Sequence, residues 1–174
     1  LKEDLLLLDT KSGEITLLIE NEFSYYTVRF IEDKIIFVAT DMKKGGVNED
    51  CFIYSANFEG KYEKISPDDF DMAFGNSIGT DARFGSSRTF AVKDDRLYFV
   101  VTDYEKSKLL SISLDGEIRE EIPEGVEDFV LGDDDIFYLA MGPDTLAELK
   151  RNSTGKTLIE NKVPTEVHPI ETFD

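Results

Sequence analysis

The residues Gly75-Asn76-Ser77-Ile78-Gly79 spell G-x-S-x-G, the spacing that holds a serine nucleophile on a sharp turn between a buried strand and a helix. Acyl transfer from Ser77 would also need an imidazole base within hydrogen-bond reach, and His168 is the one histidine of the sequence. Neither residue stands in the context this chemistry requires. Gly79 is followed by Thr80-Asp81-Ala82-Arg83-Phe84-Gly85-Ser86-Ser87, which has no helical period, and His168 lies between Val167 and Pro169. Both read as loop residues, and no residue is assigned as catalytic. Arg83 and Arg88 flank the Gly/Ser loop and are unusual cations in an acidic sequence. A guanidinium fork there could hold a peptide carboxylate through paired hydrogen bonds; the competing reading is a salt bridge to a nearby acid. These two arginines are the substrate-binding candidates.

The acidic runs Asp68-Asp69 and Asp133-Asp134-Asp135 bring calcium to mind. Neither follows the D-x-[DN]-x-[DN]-G spacing that wraps oxygens around one ion, so they read as solvated turns, with no metal and no cofactor expected. Cys51 is the only cysteine, which rules out an intramolecular disulfide and leaves a thiolate metal site without partners. A reducing, cytoplasmic setting is the expectation. The formal net charge is -18 over 174 residues, a surface that repels phosphate backbones and anionic lipid. Nucleic-acid and membrane partners are therefore not expected, and no apolar run approaches the roughly 20 residues of a membrane span. The acids are spread over turns and strand faces beside a 41% apolar fraction, the pattern of a folded chain with an acidic surface. The start, Leu1-Lys2-Glu3-Asp4 without a Met, reads as cut from something longer.

The elements that would position these residues form a repeat. Asp95 to Ile122 holds an apolar strand (Leu97 to Val101), a polar turn (Thr102 to Lys108), a second strand (Leu109 to Leu114) and an Asp115-Gly116 turn. A charged strand (Glu117 to Ile122) follows. Asp-Gly between alternating runs predicts a hairpin whose two turn residues both take positive φ. Phe90 and Phe129, Leu97 and Ile136, and Gly116 and Gly155 each stand 39 residues apart without a gap. An earlier copy runs from Val28 to Pro67, and Asp4 to Glu20 matches the second half of one, around a Ser12-Gly13 turn. The earlier copy differs by the Asp41 to Asp50 loop, with a mobile tip at Lys43-Lys44-Gly45-Gly46, and by the long connection Asp68 to Ser87. A repeat of about 40 residues with four strands is the spacing of a propeller blade. The fold expected is all-β, a partial β-propeller of about three and a half four-stranded blades. Its blade segments are 4–22, 28–67, 90–125 and 129–164, parts of one domain over 1–174. Asp144 to Arg151 (DTLAELKR) has helix-forming composition, but the ungapped register predicts a strand. Runs such as IIFVA, LYFVV and IFYLA suit inner strands covered on both faces by neighbouring blades, so Tyr98 and Phe99 are both expected to be buried.

The blade text F-x-V-x-x-D-R-L-Y-F-V-x-T-D, followed by L-x-S-I-S-L-D-G-E, resembles the propeller of the prolyl oligopeptidase family of serine peptidases, nearest its acylaminoacyl-peptidase branch. The segment Thr80 to Gly85 also looks like that family's inter-blade text. The resemblance implies a non-catalytic propeller that gates and positions peptide substrates for an α/β-hydrolase domain of the same protein. The catalytic Ser, Asp and His would lie in that domain, and nothing after Pro164 begins one. TolB-type propellers share the blade text, so a stand-alone binding and interaction module is the alternative. A small hydrolase using Ser77 and His168 is a third reading. An unfinished ring leaves apolar blade faces at both ends, which implies self-association of this polypeptide.

Overall fold

The computed structural model describes residues 1–78, 89–142 and 145–161. They form three antiparallel sheets. The first runs in the order β1 (Glu3–Leu8), β2 (Ile15–Ile31), β3 (Lys34–Thr40), β4 (Phe52–Ala56) and β5 (Tyr62–Lys64). The second holds β6 (Ala73–Phe74), β7 (Phe90–Lys93), β8 (Arg96–Asp103), β9 (Lys106–Ser113) and β10 (Ile118–Ile122), with β6 and β7 both paired to β8. The third is β11 (Val126–Leu131), β12 (Ile136–Gly142), β13 (Thr145–Arg151) and β14 (Lys156–Ile159), in chain order. The all-β expectation holds, and TLAELKR, the described part of the helix-like stretch, is strand β13. Pairing on both sides overrides its helix propensity, a weak prior worth tenths of a kcal/mol per residue.

Three cores lie between successive layers, and the period-2 alternation of the inner strands explains each. On β3, Ile35, Phe37 and Ala39 face the β1–β2 hairpin, with Leu5, Ile19 and Phe23 across from them. Ile36 and Val38 point the other way, onto Leu97, Phe99 and Val101 of β8. Val100 of β8 turns to the third sheet and meets Val126 and Phe129. The inner strands β3 and β8 are thus apolar on both faces because a layer covers each of them on both. Phe99 is fully buried, whereas Tyr98 is half-buried at the edge of the third core.

Four features depart from the sequence reading. The half-copy and the first full copy are not separate: β2 is one strand of 17 residues. Its first half pairs with β1 and its second half with β3, the handover falling between Phe23 and Ser24, and Asn21, whose φ is +47°, lies at an irregularity in the β1 pairing. The long connection after Asp68 contains β6, which pairs with Val101 and Thr102. The turn read as Thr102 to Lys108 is only Tyr104-Glu105, since Asp103 pairs with Lys106. At Asp115-Gly116 only Gly116 has positive φ, +87°. The Gly116 N–H donates to the Ser113 carbonyl (3.0 Å) and the Ser113 N–H to the Glu117 carbonyl (3.1 Å). That is a three-residue loop closed by a glycine bulge rather than a two-residue turn.

The ungapped count of 39 also fails across the third sheet. Val100 pairs with Leu109, but its counterpart Leu139 pairs with Leu149 and not with Glu148. A bulge between Ala140 and Gly142 slips β13 by one residue, and a slip of one moves every side chain to the opposite face. Leu149 therefore joins the face of the third sheet that no other described sheet covers, with Val130, Phe137, Leu139 and Ile159. Lys150 takes the place opposite Tyr138 that Leu110 has opposite Phe99. Among the described residues the other end of the stack is uncovered too: the pairs Leu6–Leu17 and Leu8–Ile15 place four exposed apolar side chains together on the outer face of the first hairpin.

Candidate functional site

Ser77 does not sit on a nucleophile elbow. The strand before it, β6, has two residues and runs antiparallel to β8 on that strand's edge. The backbone around it is pinned for structural reasons. The Gly75 N–H donates to the Val100 carbonyl (2.7 Å) and the Ser77 N–H to Thr102 Oγ1 (2.9 Å), while the Thr102 hydroxyl donates to the Gly75 carbonyl (2.9 Å). Ser77 itself is exposed. Arg83, Arg88 and His168 lie outside the described residues.

The acidic runs hold protein groups. Asp135 accepts from the N–H groups of Ile136 (2.9 Å) and Ser153 (3.0 Å), and from the Ser153 hydroxyl and Arg151. These hydrogen bonds keep its carboxyl far below the usual carboxylate range. Asp68 pairs with Lys64, which lowers its pKa in the same way. Among the described residues no group of His, Cys, Asp and Glu is arranged to hold a metal.

What the fold does assemble is a groove of about 770 Å³ between the second and third sheets. Its walls come from Ile78, the β8–β9 turn (Glu105, Lys106), Glu124 and Gly125 between β10 and β11, and Tyr138, Met141 and Lys150 of the third sheet. The sequence dictates the opening. Between the first and second sheets the connection after Pro67 fills the same kind of gap with Phe70, Met72 and Phe74. Between the second and third sheets the connection is only Pro123-Glu124-Gly125, with nothing to insert. Gly125 holds the rim: its φ is +76°, and a Cβ there would lie 2.6 Å from the Met141 carbonyl oxygen. The Met141 N–H donates to the Gly125 carbonyl (2.8 Å), which pins the bulge in place.

Asn76, which sequence reasoning passed over, clamps this end of the groove. Its Nδ2 donates to Glu127 Oε2 at 2.6 Å, and to the Val126 carbonyl and Met141 Sδ at 3.4 Å each. Its Oδ1 accepts from the Ile78 N–H (2.9 Å). The G-x-S-x-G stretch therefore matters through its asparagine. Charge at the rim is paired: Lys106 bonds Glu124 at 3.0 Å, which raises the lysine's pKa. Deeper in, Lys150 and Glu148 are 3.5 Å apart with side chains only 31% and 15% exposed, beyond ordinary hydrogen-bond range. The groove can bind and orient a ligand through a cation beside an apolar wall; its described residues include no paired nucleophile and base.

No protein-family model matches the sequence, and no curated protein matches it either. Solved structures do. The acylaminoacyl peptidase of Pyrococcus horikoshii is 21% identical with a TM-score of 0.65 over 90% of this chain, which spans 22% of that one. The β-propeller domain of the Trilobed protease from Pyrococcus furiosus, described as having an open velcro topology, is 17% identical with a TM-score of 0.61. There 97% of this chain matches 46% of the other. TolB from Acinetobacter baumannii is 12% identical with a TM-score of 0.54, matching 88% of this chain and 36% of its own. Three stacked antiparallel sheets and these likenesses together make the chain a partial β-propeller, with the blade fold found in peptidase propellers.

Proposed function

We propose that this chain is part of the propeller of a serine peptidase of the prolyl oligopeptidase family, near its acylaminoacyl-peptidase branch. In that role it gates and positions peptide substrates for an α/β-hydrolase domain of the same protein, in the cytoplasm. One observation carries the reading. The blade text of the sequence and the blade geometry point to the same relatives, and the acylaminoacyl peptidase matches more closely than TolB in both identity and TM-score. The stand-alone TolB-type binding module is the rival reading.

A fluorophosphonate probe separates the readings. Applied to the protein made from its full coding sequence, the probe should label a serine outside residues 1–174, and Ser77→Ala should leave labelling intact. Labelling lost on Ser77→Ala would move the chemistry into this chain. A full-length protein that never labels would favour the binding module.

A further inference from the structure

We propose that the groove between the second and third sheets is a docking site for the C-terminal carboxylate of a short zwitterionic peptide, anchored by Lys150. The peptide as ligand rests on the function proposed above; the carboxylate and its apolar neighbour come from the groove itself. The bulge at Ala140–Gly142 puts Lys150 opposite Tyr138, where the second sheet has the leucine–phenylalanine pair Leu110 and Phe99. A half-buried ammonium at a core position destabilises the fold unless something compensates. Among the described residues its acidic partner is Glu148, 3.5 Å away, so the three N–H donors of Lys150 are poorly used there. A carboxylate entering the groove could take them as charge-assisted bonds, which are about twice as strong as neutral ones.

The surroundings narrow the ligand. Ile78, Ala140, Met141 and the Tyr138 ring line the groove beside Lys150, a wall for an apolar side chain next to the bound carboxylate. At the mouth Glu124 is paired with Lys106 and Glu105 stands beside them. A purely anionic ligand is repelled by the -18 carried by the whole chain. A peptide whose other end is an ammonium is not. The bulge has the character of a device that re-aims a side chain at a site, and the Gly125–Met141 hydrogen bond fixes it.

Calorimetric titration with the tripeptide alanyl-leucyl-phenylalanine and with its C-terminal amide tests this. The free acid should bind and the amide should bind at least about tenfold more weakly, the scale of a hydrogen bond between charged groups. Lys150→Gln should cause a similar loss, and added salt should weaken the acid form. Glu148→Gln, which releases Lys150 from its neighbour, should tighten binding severalfold, a change of sign that damage to the fold cannot produce. Equal binding of acid and amide would overturn the carboxylate anchor and leave the peptide reading standing. No binding of either form, with a melting curve unchanged by the substitutions, would overturn the site, while the labelling experiment above still decides the function.

Discussion

Tyr25 carries a hydroxyl with no hydrogen-bond partner among the described residues, although the atom is shut off from solvent. Its ring packs edge-on to Phe37 and lies beside Phe23. Burial, with Glu22 nearby, pushes its pKa up to about 12. Tyr54, chiefly through burial, and Tyr62, chiefly through its hydrogen bond to Glu22, are also raised to about 12. The sign of the effect on stability follows. Between pH 10 and about 12 the unfolded chain releases these phenolic protons and the folded one keeps them, so the unfolded state binds fewer protons and stability falls as pH rises. A spectrophotometric titration of the seven tyrosines should show a late-ionising group, and thermal stability should decline across that window. Tyr25→Phe should remove one late transition and leave stability unchanged or raised by about 1 kcal/mol, because an unsatisfied buried hydroxyl is lost. A clear loss of stability would mean that the hydroxyl has a partner in solution.

At the scale of the strand, two leucines that the repeat aligns should behave differently. Leu110 is buried against the first sheet, while Leu149, 39 residues on, is half-exposed on the uncovered face of the third. Leu110→Ala should cost about 2–5 kcal/mol, and Leu149→Ala well under half as much, as read by chemical denaturation. Equal losses would show that the bulge is absent in solution. The example marks what the sequence could say. Continuous apolar runs such as IIFVA and LYFVV, and equal spacing of Phe90 with Phe129 and Gly116 with Gly155, made the sheets and their stacking legible. Spacing along the chain does not report pairing across it, so the slip at Met141 left no trace in the count, and with it Lys150 was passed over. Asn76 was hidden inside a motif read for its serine, because its partners Glu127 and Met141 lie about 50 residues or more further on. The turn at Gly116 was found but given the wrong geometry, since Asp-Gly serves both a two-residue turn and a three-residue loop. Arg83 and Arg88 stay as candidates from sequence alone.

Across the whole molecule, the two ends of the stack are apolar and of unlike shape. One offers Leu6, Leu8, Ile15 and Leu17; the other offers Val130 and Ile159 flanked by half-buried Phe137, Leu139 and Leu149. Apolar faces of this kind drive association, and a charge of -18 opposes it. The repulsion is screened beyond about 8 Å at physiological salt. The polypeptide of residues 1–174 should therefore self-associate as salt is added, visible as a rise in sedimentation coefficient between low and moderate ionic strength. A monomer with one sharp thermal transition at both would show that the end faces are too small or too well solvated to drive contact.

The sharing of β2 has a bearing on how the molecule comes apart. A repeat array ordinarily opens one unit at a time, each unit held by its own terms and by its neighbours. Here a single strand supplies hydrogen bonds to two layers, so the first hairpin cannot melt without exposing the edge of β3. The third sheet shares no strand with the second among the described residues: Pro123-Glu124-Gly125 joins them, and the ties across are side-chain bonds such as the Lys93 ammonium on the Gly132 carbonyl (2.6 Å) and Asn76 Nδ2 on Glu127 (2.6 Å). Amide protons of β1 to β4 should exchange with deuterium together and late, and those of β13 and β14 early and alone. The groove lies on that line of weakness, so a ligand seated in it would slow exchange in β13 and leave β3 untouched.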